Sequence, residues 1–180
     1  IVTSQIIQLD PADSGPRGYL VRPAGDGAYP GLVLIQEWWG VEPHVLDLAQ
    51  KLASEGYVVM VPDLYHGQIA TEPDDAKKLV MMAMQNVDRV ISEVILALDF
   101  LRADPKVQPK SLGLMGFCMG GTVAFKVACR YPHLAAVSPW YGGGIDPRSE
   151  PIENINAPIM AVYGALDQGI PLDRVRAIES

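Results

Sequence analysis

Apolar residues along this chain alternate between short strand-like runs and longer stretches of helical period. Positions 5–9 and 18–22 read as two strands joined by a turn over 11–16, where proline, aspartate, serine and glycine gather. Leu32-Val33-Leu34-Ile35 is a continuous apolar run, the pattern of a strand buried on both faces of a parallel sheet. Positions 44–55 follow a helical stripe through Val45, Leu48, Ala49, Leu52 and Ala53, which Gly56 ends. A strand is expected over 57–61, closed by Pro62, and a loop over 63–73. Helical pattern then runs from Asp74 to about Arg102, with Val87, Val90, Ile91, Val94, Leu98 and Leu101 marking the buried face and a break expected near Gln85-Asn86. Further strands are expected over 111–115, 135–141 and 158–163, and a helix from Pro171 onward.

Strands that alternate with helices predict an α/β fold, a mostly parallel sheet with helices on both faces. With no repeat, low-complexity tract or linker, the 180 residues read as a single domain over 1–180. Ligands of such sheets bind at the carboxyl ends of the strands. The polar and aromatic residues there are Glu37 with Trp38 and Trp39, Asp63 with Tyr65 and His66, Cys118, Trp140 with Tyr141, and Asp167.

Among these, Cys118 sits in the most informative motif. Gly116-Phe117-Cys118-Met119-Gly120, with Gly121 behind it, follows a strand pattern and precedes a helix whose apolar positions are Val123, Ala124, Val127, Ala128 and Tyr131. A nucleophile elbow needs this arrangement: a turn so tight that only glycines fit beside the reactive residue. A thiol at a helix N-terminus is expected to be drawn toward the thiolate. Close packing around an inert cysteine accounts for the five residues alone nearly as well. The flanking strand and helix favour the elbow.

Composition narrows the picture. Hydrophobic residues make up 49% and charged residues 19%, so the chain is globular. A net charge of -7 disfavours nucleic acid or an anionic membrane as partner. No apolar run reaches membrane-spanning length and the first residues form no signal peptide, so a cytoplasmic location is expected. Cys118 and Cys129, on one helix about 16 Å apart, cannot bridge each other. Three histidines and two cysteines at scattered spacings form no metal-site pattern.

Taken in order, Gln36-Glu37-Trp38-Trp39-Gly40, Pro62-Asp63-Leu64-Tyr65, the stretch from Gly113 to Gly121, Trp140-Tyr141-Gly142 and Tyr163-Gly164-Ala165-Leu166-Asp167 resemble the dienelactone hydrolase (carboxymethylenebutenolidase) family of α/β-hydrolases. The resemblance implies an ester or lactone hydrolase without a cofactor, acting on a small molecule through a Cys–Asp–His triad. Cys118 takes the nucleophile's place and Asp167 the acid's. Glu37 resembles the glutamate that contacts the resting thiol and helps activate it. Backbone N–H groups of Trp38 and Met119 are the expected oxyanion donors, and Trp39, Tyr65, His66, Trp140 and Tyr141 the expected pocket.

The resemblance also implies a histidine some tens of residues after Asp167, and His44, His66 and His133 all precede it. The sequence therefore reads as C-terminally truncated, without the fold's last strand and helix. Where the family places an arginine for a substrate carboxylate, the stretch after Pro73 offers Lys77, Lys78, Met81, Met82 and Met84. A methionine-rich wall suits an apolar substrate better. A non-catalytic ligand-binding protein on the same fold is the alternative expectation. Oligomeric state is not legible.

Overall fold

The computed structural model describes residues 2–10, 12 and 15–179. Positions 11, 13 and 14 of the turn expected over 11–16 lie outside the described residues. The strands are β1 (Val2–Gln8), β2 (Arg17–Pro23), β3 (Tyr29–Ile35), β4 (Val58–Pro62), β5 (Val107–Phe117) and β6 (Ala136–Trp140). The helices are α1 (Pro43–Ser54), α2 (Pro73–Gln85), α3 (Val87–Ala103), α4 (Met119–Ala128) and α5 (Leu172–Glu179). The strands form one six-stranded sheet in the order β1-β2-β4-β3-β5-β6. β1, β2 and β4 pair antiparallel, whereas β4-β3, β3-β5 and β5-β6 are parallel.

The apolar run of β3 divides its side chains between the two faces as a two-residue period requires. Val33 and Ile35 enter the larger core, formed with α3 and α4, and Leu34 enters the smaller one under α1. In β4, Val58 and Met60 face the first core, Val59 and Val61 the second. Burying a side chain of this kind contributes about 1.5–3 kcal/mol, so this double-sided burial fixes the register of the central strands.

Local signals set the helix ends. Pro43 opens α1, whose cap Glu42 accepts the His44 N–H at 3.3 Å, and Gly56, at φ +99°, follows its last turn. The break expected at Gln85-Asn86 divides α2 from α3: Asn86, at φ −118° and ψ 41°, ends one helix and starts the other. Two expectations need correction. β5 begins four residues earlier than the pattern of 111–115 suggests, with Lys110 at φ +62° and a register irregularity at its start. The strand expected over 158–163 is reduced to isolated bridges from Ile159 to Val137 and from Val162 to Trp140.

β4 lies on one side of β3 and β5 on the other. The chain thus reverses direction across the sheet at β3, and open α/β sheets place ligands outside the strand ends at such a switch point.

Candidate active site

Register brings the candidate residues together. Ile35 is level with Gly116 and Phe117 with Trp140, so the residues that follow β3, β5 and β6 emerge side by side. They are Glu37, Cys118 and Tyr141. Cys118 occupies the turn between β5 and α4 at φ +55° and ψ −120°, a conformation costly for a residue with a Cβ. Its N–H donates to the Trp140 carbonyl at 3.0 Å, and its own carbonyl accepts from Gly121 (3.0 Å) and Thr122 (3.2 Å). A Cβ on Gly116 would lie 2.1 Å from the Gly120 carbonyl oxygen, and one on Gly120 would lie 2.5 Å from that of Gln36. Both glycines are therefore steric requirements of the elbow.

The thiol is half-buried. Burial pushes its pKa up, the Met119 backbone N–H draws it back and the nearby Glu37 carboxylate raises it again, for a net rise. The expectation that the helix N-terminus would favour the thiolate is overturned: desolvation and Glu37 outweigh it, and the resting group is the neutral thiol. Glu37 accepts the Tyr141 O–H at 2.9 Å. Burial and this bond push the Tyr141 pKa up to about 12. Tyr141 sits at φ +39°, a second strained residue beside the first.

Cys118 opens into a cleft of about 480 Å³, lined also by Trp38, Met119 and Tyr141, by Lys77, Val80, Met81 and Met84 of α2, and by Thr122, Gly143 and Ile170. Trp39, Tyr65, His66 and Trp140, expected as pocket residues, are not among its lining residues. Trp39 stacks edge-on against Trp38 at 4.9 Å, and its carbonyl accepts the Ala70 N–H. Tyr65 is buried beneath the elbow, with its hydroxyl 3.4 Å from the Met119 sulfur. Trp140 leans on Phe117 and donates its indole N–H to Ser138. His66 turns to α3, where its Nε2 lies 2.8 Å from Glu93 Oε1 and 3.0 Å from Arg89 Nη1. The buried Glu93 carboxylate, also held by Arg89 at 2.8 and 2.9 Å, needs such partners, and meeting that need takes His66 out of the cleft.

Asp167 lies beyond β6 in a tight turn. Its Oδ1 accepts the N–H groups of Gly169 (2.8 Å) and Ile170 (3.1 Å), which seats Ile170 at the cleft. His44 is exposed at the start of α1, and His133 stacks edge-on against Tyr131. None of the three histidines lines the cleft. Sequence reasoning left Val80, Thr122, Gly143 and Ile170 out of the site, but its expectation of a methionine-rich wall after Pro73 agrees with Met81 and Met84 lining the cleft. Lys77, Val80, Met81 and Met84 fall at i, i+3, i+4 and i+7, one face of a helix, and that spacing was the available signal.

A strained cysteine at a glycine-flanked strand–helix turn, above the switch point of a mostly parallel sheet, is the architecture of an α/β-hydrolase. The chain belongs to the dienelactone hydrolase family, whose model matches residues 17–180. It is 34% identical over 178 residues to Protein usf of Aquifex pyrophilus, covering 95% of this chain and 75% of the relative. It is also 34% identical over 181 residues to an Aquifex aeolicus protein provisionally named a carboxymethylenebutenolidase, with the same coverage. A crystal structure from Klebsiella pneumoniae, provisionally named a dienelactone hydrolase, superposes with a TM-score of 0.75 at 27% identity, over 99% of this chain and 79% of that one. The family is one of ester and lactone hydrolases. Among the described residues no helix is long and apolar enough to cross a membrane.

Proposed function

We propose that this protein hydrolyses small esters or lactones through an acyl-enzyme on Cys118. The observation that carries the reading is the glycine-enforced elbow, which holds a strained cysteine at the mouth of an apolar cleft with a carboxylate beside it. In this reading Glu37 accepts the thiol proton as substrate enters, and the sulfur attacks the carbonyl carbon. The N–H groups of Met119 and Trp38 receive the developing oxyanion. Collapse breaks the ester C–O bond, the departing oxygen takes up the proton, and water then cleaves the thioester. Asp167 is assigned as the acid that orients the triad's histidine. Since none of the three histidines lines the cleft, acid–base work within these residues falls to Glu37.

The test is hydrolysis of a short 4-nitrophenyl ester by wild type and Cys118→Ala, with circular dichroism to check the fold. Loss of turnover in a folded variant is expected; undiminished turnover would refute the nucleophile. A second reading, a non-catalytic binding protein, draws on the thiol being held neutral beside a cleft of apolar lining. It predicts no turnover by wild type and equal ligand affinity in both proteins.

A further inference from the structure

The lining of the cleft bears on which substrates it accepts. Trp38, Val80, Met81, Met84, Met119 and Ile170 make most of its wall, and two of the polar side chains at the cleft are already engaged. The Thr122 hydroxyl donates to the Gly143 carbonyl at 2.8 Å, and the Tyr141 hydroxyl donates to Glu37. A substrate carboxylate entering this wall would lose much of its hydration and, among the described residues, find few side-chain donors to replace it, which is costly for a charged group.

The local field acts in the same direction. Glu37 is the charge that bears on the thiol, and its effect there is to disfavour negative charge. Lys77 is the cation among the lining residues, but its side chain is 65% exposed and its Nζ is paired with Asp74 at 3.4 Å. An ammonium so well solvated attracts an anion only weakly. The net charge of -7 adds a repulsive field around the whole molecule. Methionines, unbranched and polarizable, adapt to apolar groups of varied shape.

We infer that the cleft selects uncharged esters with an apolar acyl or alkyl group, and that Val80, Met81 and Met84 of α2 set this preference. The inference rests on the thiol-hydrolase reading for the word ester, but the selectivity of the cleft is measurable without turnover. Cys129 is fully buried, so alkylation reports on Cys118, with Cys118→Ala as the blank. The probes are N-benzyl iodoacetamide and its 4-carboxybenzyl analogue, each rate divided by that for free cysteine.

Wild type is expected to favour the neutral reagent by about tenfold or more, and Met84→Arg, or Met81→Arg should the first not fold, to cut that ratio at least about threefold by supplying a partner for the carboxylate. Equal rates, or a faster carboxylated reagent, would overturn the inference. So would a preference that disappears at about 0.5 M salt, since long-range charge is screened there and the wall would then contribute nothing. Turnover of 4-nitrophenyl hexanoate against the mono-4-nitrophenyl ester of adipic acid separates the two readings. Neutral preference in labelling without any thiol-dependent turnover sinks the hydrolase reading alone. Turnover that favours the adipate sinks the selectivity alone.

Discussion

The elbow and the segment that carries Asp167 lie at the same end of the sheet and are built in opposite ways. Around Cys118 most positions are fixed by close packing: Gly120 by the backbone oxygens of Ile35 and Gln36, Gly116 by that of Gly120 across the turn, β5 by neighbours on both sides, α4 by the core it covers. Residues 151–179 contain no buried residue, and Asp167 is held by N–H groups only two and three positions away. The strained conformation of Cys118, the proposed nucleophile, is thus stabilised by the core around it, while the proposed acid owes its place to one local turn. Changes near Cys118 should therefore be costly and global, and changes near Asp167 mild and local.

The strongest challenge to this contrast is at Gly120. Gly120→Ala drives a methyl against two backbone carbonyls that cannot yield, and we expect a loss of about 3 kcal/mol or more in urea unfolding, at the upper end of overpacking costs. A near-neutral result would mean the elbow is not sterically locked. A matched pair isolates burial from position. Leu114→Ala, at a position 1% exposed, should cost about 2–5 kcal/mol. Leu166→Ala, at a position 94% exposed and one residue from Asp167, should stay within about 0.5 kcal/mol. Asp167→Ala falls between them at about 1 kcal/mol for the lost turn bonds, with hydrogen exchange rising at Gly169 and Ile170 and unchanged in β5.

A smaller effect concerns charge. Glu37 raises the Cys118 pKa by disfavouring the thiolate, so removing its charge must lower that pKa. The pH profile of Cys118 alkylation in Glu37→Gln should move to lower pH, and an unmoved profile would show that burial alone holds the thiol neutral. If Glu37 is the base, the same variant loses ester turnover even though its thiol ionises more readily.

The elbow was legible in the sequence because its cause is steric: a strand that turns into a helix within one residue has room for glycines alone at the flanking positions. The central strands were legible from their unbroken apolar runs, and the α2–α3 break from the end of one periodic stretch. Hydrophobic pattern reports that a residue is apolar but not which neighbour it meets. The run at 158–163 therefore reads as a full strand although it makes only two bridges. His66 was misplaced for a similar reason. It follows a strand on the ligand side, but its partner is Glu93, an acid within the buried face of a helix, and a charge at that position was the sign that it required partners. The α2 wall was legible in its methionines, but Val80 was missed and Met82 included, because a four-residue stripe looks like any amphipathic face until the elbow is seen opposite it.

Whether Cys118 carries the acyl group can be read by mass spectrometry of the protein quenched in acid during turnover of a slow 4-nitrophenyl ester. We expect a peptide containing Cys118 whose mass is increased by the acyl group, formed in wild type and absent in Cys118→Ala. Turnover without that adduct, and retained in Cys118→Ala, would rule the cysteine out as nucleophile.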